Sequence, residues 1–390
     1  MVSLVFLEPH LDPVFRWIPH QRLMERRRDF YNAFLQAKEF ILREKPDIVL
    51  FPGDFFYRVR PRIPPIARVV GDLREIRRAG VRIYAITGHH DQPRGIVSGA
   101  SPLAILHNAG CLHFFKPYDR LSMHHFEVDG VDVCVAGISY NPALEPGQDP
   151  LEGINARLDG QVNILMLHHN IEGFTPPPHS TQEPVVRLSS IPEDVHLVAA
   201  GHLHRYQHRT VGQTTICYCG STERITFAEE GEPKGFVYAE VDREGVQQLE
   251  HIKTETRPMK TVDVSIPKQG DATKNILKQL ESFFSQWNFS VPPLIRVRLN
   301  GTFTRPVLRT YRRDLIIAYM LERCLAVKLD EENVSYAGVQ HEIEVQLETP
   351  IRQLERYAEK LLKKAKGEER ELLEKALEYG KRTLMEAGAW

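Results

Sequence analysis

The chain has 390 residues, 42% of them hydrophobic and 26% charged, the balance of an ordinary globular protein with material for two or three domains. Lysine and arginine number 50 against 51 aspartates and glutamates, and this net charge of −1 excludes a globally basic protein that coats nucleic acid by charge alone. No run of 18 or more apolar residues occurs, Glu8 interrupts the N-terminus before a signal-peptide core can form, and the five cysteines sit mostly in apolar runs, so a cytoplasmic protein without a membrane span is expected.

Val2 to Leu7 is an apolar run that reads as a strand. Phe30, Phe34, Ala37 and Ile41 give helical spacing within 22–43, and Ile48 to Phe51 then reads as a buried strand. Ile66, Val69, Val70, Leu73 and Ile76 mark a second helix, and Val81 to Ile86 a third strand. Short apolar runs at 131–136, 162–167 and 195–200 predict further buried strands. This alternation is that of an α/β layer fold. The character changes near Glu255-Thr256-Arg257-Pro258. Beyond it, strands at 262–266 and 294–299 flank a helix over 275–287, and amphipathic helices over 352–365 and 368–386 hinge at Gly367. The expected units are 1–255, 256–347 and 348–390. The most irregular stretch is the loop 173–184.

Fifteen of the 17 histidines lie at or before His208. Many follow a predicted strand, as do several carboxylates. Glu8 and His10 follow the first, and Asp54 the second. His89, His90 and Asp91 follow the third. His168 and His169 come after 162–167, and His202 and His204 after 195–200. Ligands of open α/β sheets bind outside the carboxyl ends of strands, so five strand ends bring imidazoles and carboxylates to one edge. Any one of these histidines alone reads as a structural residue. The full set exceeds what one tetrahedral site needs, and its mixed donors suit manganese, iron or zinc more than magnesium or calcium. A bridging carboxylate such as Asp54 would let two metals sit roughly 3.5–4 Å apart and clamp a phosphate.

In these motifs the sequence resembles the calcineurin-like metallophosphoesterases, whose pattern runs Asp-x-His, Gly-Asp, Gly-Asn-His-Asp/Glu, a lone His and Gly-His-x-His. Within them it resembles the SbcD-type nucleases of DNA double-strand-break repair. That tie rests on Tyr218-Cys219-Gly220-Ser221-Thr222-Glu223-Arg224-Ile225-Thr226-Phe227 followed by Lys234-Gly235-Phe236. The resemblance is good over 1–255 and weaker beyond. It implies a four-layer α-β-β-α sandwich, a smaller α/β capping domain and C-terminal helices. It implies two divalent metal ions, manganese first and iron or zinc as alternatives, held by Glu8, His10, Asp54, His89, His168, His202 and His204. His90 would be the phosphate-facing acid and Asp91 would orient it through a ring nitrogen. Two positions depart from the pattern, with Glu8 in place of the first Asp and His89 in place of the Asn. Asp12 could replace the missing aspartate, and His169 competes with His168. The implied activity is metal-dependent cleavage of DNA at ends or in single strands. A phosphodiesterase acting on small nucleotides, or a catalytically impaired DNA-binding or scaffold relative, remains the alternative.

Net neutrality hides local bias. Eight arginines lie between Arg58 and Arg82, and six lie between Val291 and Arg313 with no acid among them. The second cluster makes Arg305, Arg309, Arg312 and Arg313 candidates for DNA binding. The resemblance implies a homodimer through the 66–73 helix, whose apolar stripe equally reads as core. It also implies docking of an SbcC-type ATPase on the C-terminal helices.

Overall fold

A computed structural model of the chain describes residues 1–93, 99–154, 157–176, 183–337, 350–363 and 365–386. The expected boundary at 347/348 and part of the 173–184 loop lie outside these residues.

The first strand, β1 (Val2–Phe6), leads to helix α1 (His20–Glu44), then β2 (Ile48–Pro52), α2 (Ile63–Arg78) and β3 (Arg82–Ile86). A short helix α3 (Leu103–Asn108) and strand β4 (His113–Phe114) follow. Next come β5 (Ser122–Val128), β6 (Val131–Gly137), β7 (Val162–Leu167), β8 (Asn170–Ile171), β9 (Val185–Val186) and β10 (Leu197–Ala200). The hairpins β11 (Gln207–Val211) with β12 (Thr214–Tyr218), and β13 (Gly235–Asp242) with β14 (Gly245–Lys253), complete the large unit.

Its two six-stranded sheets run β14-β13-β1-β2-β3-β4 and β11-β12-β10-β7-β6-β5. The central strands pair in parallel and the margins antiparallel, except for the short edge strand β4, which runs parallel to β3. Central strands are apolar on both faces, as buried parallel strands must be. In β2, Ile48 and Leu50 face the other sheet while Val49 and Phe51 face the helices. In β7, Ile164 and Met166 point between the sheets and Leu165 and Leu167 point outward. Phe34, Ala37 and Ile41 of α1 and Val69, Leu73 and Ile76 of α2 cover the first sheet. Core thus accounts for most of the α2 stripe, with Ile66 and Val70 partly buried at its margin. The outer face of the second sheet is covered among the described residues by loops and one 3-10 turn at Leu188–Ser190, packed through Leu151, Leu158, Ile191 and Val195. The α/β sandwich is as expected, but its fourth layer holds little regular helix in the described residues.

A separate parallel sheet follows, of β15 (Met259–Ser265), β16 (Leu294–Phe303) and β17 (Ala326–Tyr336). Helix α4 (Ala272–Gln286), the short α5 (Arg305–Leu308) and α6 (Arg313–Leu321) pack on it through Ile276, Leu280, Val307, Ile316 and Met320. An apolar cluster of Phe15, Ile18, Phe30, Phe227, Met259 and Leu294 joins the two units. Arg26 and Arg257 reinforce that seam, both pairing with Asp29, and Arg26 also with Glu223. Helices α7 (Pro350–Leu362) and α8 (Glu368–Glu386) form a hairpin in which Gly380 leaves room for Leu354 and Lys381 bonds Glu355 at 2.5 Å. Among the described residues no helix is long and apolar enough to cross a membrane. All five cysteines are unbridged and buried.

Candidate metal centre

The five strand ends of the sequence reading meet where the two parallel sheet centres adjoin. Glu8 leaves β1 and is pinned by a bridge to Ser221. His10 and Asp54 face each other across adjacent loops, with the His10 amide donating to the Asp54 carbonyl at 3.1 Å. Asp54 Oδ2 then lies 3.3 Å from His10 Nε2, 3.2 Å from His89 Nδ1 and 3.2 Å from His168 Nε2. Its other oxygen accepts the His90 backbone N–H at 2.8 Å. On one side, Glu8 Oε1 lies 3.3 Å from His10 Nε2 and 3.9 Å from His204 Nε2. On the other, His89, His168 and His202 present nitrogens within 4.8 Å of one another. Asp54 stands between the two groups.

Donor chemistry and burial test whether a cation fits. Glu8 Oε1, His10 Nε2 and Asp54 Oδ2 are fully buried and have no hydrogen-bond partner, a state that is costly unless something else satisfies these atoms. Imidazole and carboxylate donors converging without partners suit a transition-metal cation. Burial pushes Glu8 up to about 8 and His10 down to about 4. Burial also opposes charge on Asp54, but His168, His89 and His90 outweigh it and hold Asp54 well below the usual carboxylate range. Asp54 in turn lifts His168 to about 9 against the effect of its burial.

The model of the calcineurin-like phosphoesterases matches residues 18–206, a span that takes in four of the five strand ends and leaves out only Glu8 and His10. This chain carries a calcineurin-like phosphoesterase domain. It is 25% identical over 273 residues to the DNA double-strand break repair protein Mre11 of Methanococcus maripaludis, covering 67% of this chain and 70% of that protein. Its match to the Mre11 of Methanopyrus kandleri is 26% over 257 residues, 62% of this chain and 56% of the relative. The Mre11 of Thermoplasma acidophilum is 29% identical over 221 residues, 55% of each. The chain thus spans between about half and 70% of the length of these relatives.

Both departures from the phosphoesterase pattern reach the centre. Glu8 uses its extra methylene to meet His10 with one oxygen while the other accepts the His202 N–H at 2.9 Å. His89 puts Nδ1 at 3.2 Å from both Asp54 and His168. Asp12 does not enter: its carboxylate pairs with Arg58 and Arg62. His168 is the histidine brought to Asp54, its Nδ1 fixed by the Pro52 carbonyl at 2.8 Å, while His169 stacks on Tyr140. One expectation is corrected. The carboxylate oxygens of Asp91 accept the backbone N–H groups of Gly88 and Phe56, at 2.8 and 3.3 Å, so Asp91 shapes the loop that carries His90 and does not bond its ring. The His90 ring is instead stacked on Tyr57, 4.4 Å between centroids. Arg305, Arg309, Arg312 and Arg313 sit at the α5–α6 edge of the small unit, with Arg312 paired to Asp314 and Arg313 near Glu331.

Other residues support the candidate metal centre without standing at a strand end. Glu229 accepts from His204 Nδ1 at 3.3 Å and pairs with the buried Lys234 at 2.6 Å. Burial opposes charge on Glu229, but His204 and Lys234 outweigh it and hold the carboxyl far below its usual range. Glu183 lies 2.7 Å from His202 Nε2. The signal for Glu229 was present: it falls between Phe227 and Lys234, inside the distinctive segment. No sequence pattern marks Tyr57 or Glu183. Tyr57, His90, His204, Glu183 and Glu229 line a cleft of about 760 Å³ open to solvent.

Proposed function

We propose that this chain is a divalent-metal-dependent DNA nuclease that hydrolyses phosphodiester bonds at DNA ends or in single strands, in double-strand-break repair. The position of Asp54 carries this reading, with one buried oxygen facing imidazole nitrogens of both donor groups at 3.2–3.3 Å. Glu8, His10 and His204 would hold one ion, His89, His168 and His202 the other, and Asp54 both. Bound there, two such ions, manganese before iron or zinc, polarise a phosphoryl oxygen and lower the pKa of water. The likeness to DNA double-strand break repair proteins supports DNA as the substrate, and such a substrate fits a cytoplasmic location.

The chain's own residues do the rest. Burial holds His90 at about 4, so in the ligand-free cleft its ring is neutral at pH 7 and presents one N–H. An incoming phosphate receives that hydrogen bond, and its negative charge raises the basicity of the imidazole so that it can carry a proton to the leaving oxygen. Tyr57 fixes the plane of the His90 ring by stacking. Glu229 and Glu183 hold the rings of His204 and His202. The unit from Met259 to Tyr336 serves as a cap, with Arg305, Arg309, Arg312 and Arg313 available to the DNA backbone. The exposed side chains of Met24 and Ile63 beside α2 suit a homodimer contact. Tyr357, Leu361, Leu372 and Tyr379, exposed on the helix hairpin, suit an SbcC-type ATPase.

The test is cleavage of labelled single-stranded and blunt-ended DNA by purified protein with manganese. Cleavage is expected in wild type, and His90→Ala should lose at least about a hundredfold in rate while still binding metal. Wild-type protein with full metal occupancy that cuts no DNA, alone or with its ATPase partner, would refute the proposal.

A further inference from the structure

Beside the metal centre lies a cation cluster that no metal ligand requires. The loops after β1 and β2 run side by side. Leu11 donates to the Phe55 carbonyl at 2.9 Å and Tyr57 to the Leu11 carbonyl at 2.9 Å. The register that sets His10 against Asp54 also sets Asp12 near Arg58. Asp12 is two residues past His10, roughly 7 Å of extended chain, and Arg58 directly follows the Tyr57 that stacks on His90.

The Asp12 side chain is fully buried, and three guanidinium groups surround it: Arg58 at 2.5 Å, Arg62 at 2.7 Å and Arg27 at 3.3 Å. One bidentate guanidinium would satisfy one carboxylate. Three leave a surplus of two positive charges. Burial, with the neighbouring Arg62 and Arg58 charges, holds the Arg27 guanidinium below its usual range although Asp12 opposes this. The surplus faces solvent: Arg58 and Arg62 are 32% and 36% exposed, whereas Arg27 is 12% exposed. Asp12 holds a left-handed backbone, φ 61°, so the chain keeps this arrangement against local strain.

We infer that Arg58 and Arg62 grip a phosphate flanking the scissile one, so that the centre selects polynucleotides over small phosphodiesters. This rests on the reading of the centre as a DNA nuclease and names how it would hold its substrate. Asp12 pre-orients the two guanidinium groups. A small diester has no second phosphate to offer them.

The test compares a chromogenic diester, bis(p-nitrophenyl) phosphate, with a single-stranded oligonucleotide, both with manganese. Arg58→Gln and Arg62→Gln should each raise KM for the oligonucleotide roughly tenfold or more. Each should also lower the slope of log KM against log salt by about one. Turnover of the chromogenic diester should be unchanged. A second arm leaves the protein intact. An uncharged methylphosphonate is placed at each flanking linkage of the oligonucleotide in turn. At one of them it should raise KM for wild type as the variants do, and add nothing to the effect of Arg58→Gln. Equal losses on both substrates, an unchanged KM, or no effect of a neutral flanking linkage would each overturn the inference. If DNA is cut normally and the arginine variants behave as wild type, this inference alone fails. If wild type turns over the diester but not DNA, the nuclease reading fails with it.

Discussion

His10, Asp54 and His202 all hold left-handed backbones, with φ of 48°, 48° and 90°. Each costs about 1–3 kcal/mol in a residue with a side chain, so the surrounding fold must over-determine them. Glycine does the complementary work. A Cβ on Gly88 would lie under 3.0 Å from Asp54 Oδ1 and from His168 Cε1. Neither atom can move away without disturbing the donor set, since Asp54 Oδ1 holds the His90 amide and His168 is locked to Pro52. Gly88→Ala should therefore destabilise the protein by about 1–3 kcal/mol and abolish high-affinity metal binding. The same substitution at Gly71, in α2 with nothing within 4 Å of the added carbon, should stabilise by about 0.5–1 kcal/mol. Thermal unfolding and metal titration of the two variants check both signs. A Gly88→Ala protein that binds metal like wild type would show that the crowding around Asp54 is not what fixes the site.

Among the elements, a single 3-10 turn, Phe227–Glu229, ties the distinctive segment to the metal centre. Its capping box spends Glu229 on the Thr226 amide and hydroxyl, and the same carboxylate takes His204 and Lys234. Glu229→Gln keeps the turn but removes the charge that orients His204, so metal affinity should fall about 10–100-fold. It also leaves the buried Lys234 ammonium with Glu232, at 3.4 Å, as its one remaining charged partner beside the His204 carbonyl, at 2.8 Å, at a cost of about 3 kcal/mol. Adding Lys234→Met should restore the unfolding temperature but not the affinity, which calorimetric titration with manganese would separate. Recovery of both would mean that Glu229 acts on stability alone. How much of the sequence was legible follows the same divide. Strands β1, β2, β3, β6, β7 and β10 were readable because burial on both faces makes them continuous apolar runs. Strands β5, β11 and β14 were not, because a margin strand with one wet face carries polar residues such as His124-His125 or Gln247-Gln248. The residues at strand ends were legible from short local motifs. Glu183, Glu229 and Tyr57 act through partners 19 to 33 residues away in the chain, which no local pattern records.

At the scale of the molecule, the two sheets bury several titratable groups together, and this couples folding, metal and pH. Without metal, burial puts Glu8 and Asp91 at about 8 and Asp54 keeps His168 at about 9, all above their ordinary values. A raised folded-state pKa contributes stability that is complete below the unfolded value and is lost as pH climbs through the folded one. His10 and His90, lowered by burial to about 4, work the other way, their contribution being lost as pH falls from 6.5 towards 4. The metal-free protein should therefore be most stable in mildly acidic solution and lose stability from about pH 6 to 9. Metal binding requires the ionised carboxylate of Glu8 and the neutral ring of His168. At pH 7 loading should release at least one proton, visible as a dependence of the titration heat on the buffer's ionisation enthalpy. The unfolding temperature of the manganese-loaded protein should fall less over pH 6 to 9 than that of the metal-free protein, because Glu8 and His168 no longer titrate there while Asp91, which holds backbone amides, still does, so the stabilisation by metal grows with pH across that window. A metal-induced stabilisation that is flat from pH 6 to 9, with no proton released, would show that the buried carboxylate and imidazoles are not the groups the cation engages.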